Sequence, residues 1–209
     1  MLFRKKRIKA QEDGNIYPEN ISGLIISVHG KNNTIEIDNK SAFFASAIDI
    51  NANNSHIHIK NVKYLRNLII HVYNGDNQNI VIDDGTSIEG AHIYLCGYAS
   101  ECHIGAECML ANNIQIWTAD GHSVIDMKTQ HVINATPCKV TIGDRTWVAQ
   151  DAKLLKGAKI PPDTIVAASS IVTKEFIESH TIIGGNPAKI LRQDICWDRR
   201  DPFEYRGTL

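Results

Sequence analysis

A chain of 209 residues that is 43% hydrophobic, 22% charged and 7% aromatic has the composition of an ordinary folded domain with one substantial core. A formal net charge of −1 excludes the basic excess that marks a nucleic-acid binder. No apolar run approaches the length of a membrane span, and the basic start leads into Gln11-Glu12-Asp13-Gly14 with no apolar stretch, so the five cysteines are expected to be reduced thiols in the cytoplasm.

Residues 1–20 read as a lead-in. Their basic cluster, Arg4-Lys5-Lys6-Arg7 with Lys9, is expected to be a solvated terminus, with peripheral contact to anionic lipid as the alternative. From residue 21 a repeat takes over. Thr34-Ile35-Glu36-Ile37, His56-Ile57-His58-Ile59, Asn79-Ile80-Val81-Ile82 and Cys102-His103-Ile104 recur with their last isoleucines 22, 23 and 22 residues apart. Alternating polar and β-branched residues predict one strand per turn. Asn32-Asn33, Asn53-Asn54 and Gly75-Asp76-Asn77 supply corners that tolerate a left-handed backbone. The coil of about 22 residues reads as a regular coil of 18 with residues added at a corner. His56 and His58 fall on the outer face of their strand, and Cys96, Cys102 and Cys108 are expected to fill small inward positions as compact hydrophobes.

Ile104, Leu110 and Ile116 then begin a stricter period of six, which residues 118–140 interrupt. A long excursion from a rigid scaffold is usually functional or mobile. The period resumes at Ile142, Val148, Leu154, Ile160, Val166 and Val172, with Thr146, Ala152, Ala158, Thr164 and Ser170 four residues after the first five. Six fits neither a helix nor a simple alternation. It fits a short strand and a bend, three to the coil, with both marked residues facing a narrow interior. The chain is therefore expected to be all-β: a parallel β-helix over residues 21–174 and a tail over 175–209. In that tail Pro187 is expected to start a short helix through Arg192, and Trp197 to pack it back onto the solenoid.

Ile142-Gly143-Asp144-Arg145-Thr146-Trp147-Val148-Ala149, the run from Val166 to Lys174, Gly185-Asn186-Pro187-Ala188-Lys189 with Arg192, and Asp120-Gly121-His122-Ser123 together resemble the signature of hexapeptide-repeat acetyltransferases. The likeness leans toward the O-acetyltransferases of sugars and bacterial surface polysaccharides. The resemblance implies a left-handed β-helix, a homotrimer with active sites between subunits, and acetyl-CoA as the acetyl donor. It also implies that His122 is the catalytic base, that Trp147 borders the acetyl and acceptor pocket, and that Gln150, Ala168, Thr173 and Lys174 contact the cofactor.

The chemistry of these residue types agrees. A neutral hydroxyl is a poor nucleophile, and imidazole, with an ordinary pKa of about 6.5, suits its deprotonation at cytosolic pH. Asp120 or Asp126 is the candidate to orient the His122 ring. Asn112 and Asn113 are candidate partners for a sugar hydroxyl, and the cations Lys174, Lys189 and Arg192 are candidates to bind the cofactor's phosphates. No metal is expected, because the histidines lack the spacing of a metal site. N-acetylation of an amino sugar or small metabolite remains the alternative reaction, and a non-catalytic binding scaffold the alternative class.

Overall fold

The computed structural model describes residues 8–10, 13–136 and 138–205, the first of these by backbone only. The basic cluster Arg4-Lys5-Lys6-Arg7 lies outside the described residues, as does the side chain of Lys9. Described residues form three parallel walls joined by bends, and no helix occurs among them. The first wall has eight strands, including Thr34–Ile37, His56–Ile59, Asn79–Ile82, Glu101–Ile104, Lys139–Ile142 and Lys159–Ile160. The second, also of eight, includes Phe43–Phe44, Tyr64–Arg66, Ser87–Ile88, Met109–Leu110, Trp147–Val148 and Ile165–Val166. The third has seven strands, from Leu24–His29 to Ile171–Val172. The chain visits the walls in this order, so each coil lays one strand on each.

The stacking follows from the pattern. Register pairs Ile37, Ile59, Ile82, Ile104, Ile142 and Ile160 on the first wall, and Leu65, Ile88, Leu110, Val148, Val166 and Ile183 on the second. Ile48, Ile70, Ile93, Ile116, Leu154 and Val172 pair on the third. Nearly all of them are fully buried, and Thr146, Ala152, Ala158, Thr164 and Ser170 turn inward at the bends. The bends themselves take a left-handed backbone, with φ of 57° at Asn32, 53° at Asn54 and 60° at Asn77. Their side chains link successive coils, as where Asn32 donates to Asn54 Oδ1 at 3.2 Å.

Two expectations are corrected. The extra residues of the long coils do not swell a corner; they lengthen the third wall. Its strands Leu24–His29, Ser46–Asn51, Leu68–Tyr73 and Ala91–Cys96 have six residues each, against two in Lys153–Leu154 and Ile171–Val172. The added length buries Ile50, Val72 and Leu95. The short helix expected after Pro187 is instead the strand Ala188–Arg192, which pairs antiparallel with Ile182–Gly185 and ends the second wall. An open sheet edge with unpaired amides captures a chain whose isolated propensity is helical.

Candidate active site

The lengthened third wall ends at Ile114–Trp117, and the chain leaves the coil between there and Lys139–Ile142. On the outer face of this wall Asp49, His71, Tyr94 and Trp117 share one column. The Tyr94 and Trp117 rings stack at 3.9 Å between centroids, and His71 stacks on Tyr94 at 5.4 Å. Trp117 thus roots the excursion on a rigid ladder.

Gly121, at φ 80°, turns the chain into His122, a conformation that side chains rarely adopt. The His122 ring is exposed, and no described residue hydrogen-bonds it. Its backbone is held firmly, however. Asn134, on the returning limb, donates from Nδ2 to the His122 carbonyl at 2.8 Å and to Asp120 Oδ2 at 2.8 Å. Asn134 Oδ1 accepts the Val124 amide at 2.8 Å. From the next coil Lys156 Nζ reaches Asp120 Oδ2 at 2.5 Å and the Asn134 carbonyl at 2.9 Å. This ion pair, with Asn134, holds the Asp120 carboxyl below the ordinary carboxylate range. Beyond the clamp an Ile125–Val132 bridge narrows the excursion to a hairpin. At its tip Asp126 accepts from the Thr129 amide and hydroxyl and from the Lys128 amide, which lower its pKa. Both aspartates are therefore engaged in the loop's own structure, and among the described residues neither contacts the His122 ring.

Trp147 projects from the second wall, between Met109 and Ile165 on neighbouring strands. That column is apolar, and the tail crosses it. Trp197 packs its ring 6.3 Å from that of Trp147 and donates from Nε1 to the Arg145 carbonyl at 2.6 Å. Arg199 donates to Ser87 Oγ at 2.7 Å and to the carbonyls of Cys108 at 2.7 Å and Glu107 at 3.1 Å. His122 and Trp147 lie on different sides of the coil, and among the described residues no interaction joins them.

The other sequence candidates divide among two bends and the terminal hairpin. Gln150 and Ala168 are exposed where the second wall turns into the third, one coil apart, with the Ser169 amide on the Gln150 carbonyl at 2.9 Å. Asn112 and Asn113 share that bend. Asn113 has φ 59° and donates to Asp151 Oδ1 at 2.7 Å, so its amide is engaged in the bend. Thr173 and Lys174 are exposed at the next bend, the one the excursion also leaves from, with Lys174 Nζ 5.3 Å over the Phe176 ring. Lys189 and Arg192 are exposed on the terminal hairpin.

No protein-family profile matches the chain. Over 101 residues it is 32% identical to the polysialic acid O-acetyltransferase of Escherichia coli O1:K1, a match covering 48% of this chain and only 32% of that enzyme. To the polysialic acid O-acetyltransferase of Neisseria meningitidis it is 28% identical over 206 residues, covering 88% of this chain and 92% of that one. The crystal structure of the polysialic acid O-acetyltransferase OatWY superposes with a TM-score of 0.79 at 25% identity, covering 90% of this chain and 89% of that one. This β-helix is similar to polysialic acid O-acetyltransferases along most of its length.

The clamp residues Asn134 and Lys156 and the tail anchor Arg199 escaped sequence reasoning. A six-residue frame says nothing about where an excursion returns, and Arg199 lies beyond the periodic region. The cysteines divide by burial. Cys102 and Cys108 join the core, whereas Cys96 is buried outside the core cluster, on the outward parity of its strand, beside the returning Cys138. Among the described residues no group of three His, Cys, Asp or Glu side chains is arranged to hold a metal. Among the described residues no helix is long and apolar enough to cross a membrane.

Proposed function

We propose that this chain is an acetyl-CoA-dependent O-acetyltransferase of a polysaccharide hydroxyl, working in the cytoplasm as a homotrimer. The observation that carries the reading is His122: an exposed imidazole on an excursion whose backbone is locked from three sides, in a homologue matched along nearly its whole length to an O-acetyltransferase. An exposed ring on a fixed backbone suits a base that must meet two substrates without rearranging. The acceptor hydroxyl attacks the thioester carbonyl while His122 Nε2 takes its proton. The C–S bond then breaks, and the imidazolium returns the proton to the CoA thiolate. Acetyl ester and CoA leave, and the protein is unchanged.

Between-subunit sites are supported by the placement of the candidates, since His122 and Trp147 face away from each other within one protomer. A second copy would supply the missing partner, and the two groups of cofactor candidates would then line opposite sides of one cleft. Lys174, Lys189 and Arg192 suit its phosphates.

Calorimetric titration of CoA into the wild type and His122→Ala, followed by acetyl transfer to a sugar panel, tests the reading. Both proteins are expected to bind CoA, with transfer falling about 100-fold or more in the variant. Failure of the wild type to bind CoA would remove the enzyme reading.

A further inference from the structure

Two of the three tryptophans, Trp147 and Trp197, face one cavity of about 330 Å³ between the second wall and the tail that crosses it. The size is within the range of small-molecule sites, about 300–1,000 Å³. Pro202 and Tyr205 continue its apolar lining, and Asp198 and Arg200 are its charged groups. From the geometry of this cavity we infer that it is a subsite for an uncharged pyranose unit of the acceptor glycan, an inference that rests on the O-acetyltransferase reading above.

Three features carry it. The cavity is preformed, because the tail on both sides of Asp198 is fastened to the wall. Trp197 holds the Arg145 carbonyl at 2.6 Å, and Arg199 holds Ser87 Oγ and the Cys108 carbonyl at 2.7 Å each. Aromatic faces beside hydrogen-bonding groups match the two characters of a pyranose, whose C–H faces are apolar and whose rim is hydroxylated. Finally, the charge is already balanced. Arg200 grips Asp198 through Nε at 2.8 Å and Nη2 at 2.9 Å, and lies 5.0 Å over the Tyr205 ring. A carboxylate or phosphate entering would meet Asp198 as well as Arg200. A hydroxyl can instead donate to the carboxylate, and its neighbour can accept from a guanidinium N–H. The free cations that suit the cofactor's phosphates lie elsewhere, on the terminal hairpin and the bend at Lys174.

The test is a tryptophan-fluorescence titration of the full chain with the methyl glycosides of glucose, galactose and N-acetylglucosamine, and with N-acetylneuraminic acid. Acetyl-CoA binding is measured calorimetrically on the same preparations. At least one neutral glycoside is expected to give a saturable change that Trp197→Ala abolishes. Arg200→Gln, which leaves the anchors Trp197 and Arg199 intact, is expected to weaken binding about tenfold with acetyl-CoA affinity unchanged. A preference for N-acetylneuraminic acid, no response to any sugar, or binding undiminished in both variants would overturn the inference. So would loss of acetyl-CoA affinity in Arg200→Gln, which would give the cavity to the cofactor. If acetyl-CoA fails to bind even the wild type, the enzymatic reading falls, while the sugar titration still reads the cavity.

Discussion

Burial decides what each cysteine can do. Cys102 and Cys108 are buried among aliphatic side chains, where a thiolate has no solvation, and their pKa values are pushed up to about 12. Cys196 is exposed in the tail. A thiol-exchange reagent at pH 8 is therefore expected to modify Cys196 in the native protein at once. Cys102 and Cys108 should react only after denaturant is added. Rapid native reaction of either would mean that the solenoid opens locally near the excursion. The six-residue spacing of Cys96, Cys102 and Cys108 placed the latter two correctly because the frame fixes which parity faces inward. Cys96 escaped it, since the third wall is longer there than a regular coil allows. His122 shows the opposite limit. Its position in a gap of the repeat was legible from the chain, but nothing local in sequence revealed which groups hold it.

In the proposed reaction the excursion carries the base, and Asn134 and Lys156 brace it. Asn134 joins three backbone or side-chain groups of the outgoing limb, so its loss frees the His122 carbonyl and the Val124 amide together and leaves Asp120 to Lys156 alone. Asn134→Ala is expected to lower kcat by about 10- to 100-fold, the cost of displacing a catalytic group by about an ångström. Affinity for acetyl-CoA and the unfolding midpoint should scarcely change, since every group involved is at the surface. A parallel fall in stability would identify Asn134 as a folding residue instead. The pH dependence of the clamp has a definite sign. Lys156 lowers the folded-state pKa of Asp120, so the ion pair is present above the ordinary carboxylate value of about 3.9 and is lost only as pH falls through the lower folded value. The clamp is then closed throughout a neutral assay range, and an acid limb between pH 5 and 7 has to come from another group. Toward the C-terminus, local propensity points to a helix where the structure has a hairpin. Ala188-Lys189-Ile190-Leu191-Arg192 is a good helix former in isolation, and only the unpaired edge of Ile182–Gly185 decides otherwise.

For the whole molecule, the repeat made the fold legible because each coil restates the same constraint, and six in-frame aliphatic residues define three walls almost by themselves. Function was less legible for the same reason: a repeat distributes its candidates around the coil, and in the proposed trimer their meeting would depend on a second copy that no single-chain pattern describes. His122 and Trp147 make this testable. If each active site takes His122 from one protomer and Trp147 from its neighbour, then His122→Ala and Trp147→Ala chains, each inactive alone, should complement when mixed. In randomly reassembled trimers a given interface receives an intact histidine with probability one half and an intact tryptophan with probability one half. Mixed assemblies should thus recover about a quarter of wild-type activity at equal input, and progressively less as either variant is put in excess. Sites built within one protomer would recover nothing at any ratio, because every chain carries one lesion. The measurement requires denaturation and joint refolding, or co-expression with separable tags, so that protomers exchange. Recovery on co-assembly, but not on mixing preassembled variants, assigns the two residues to different subunits of a shared site.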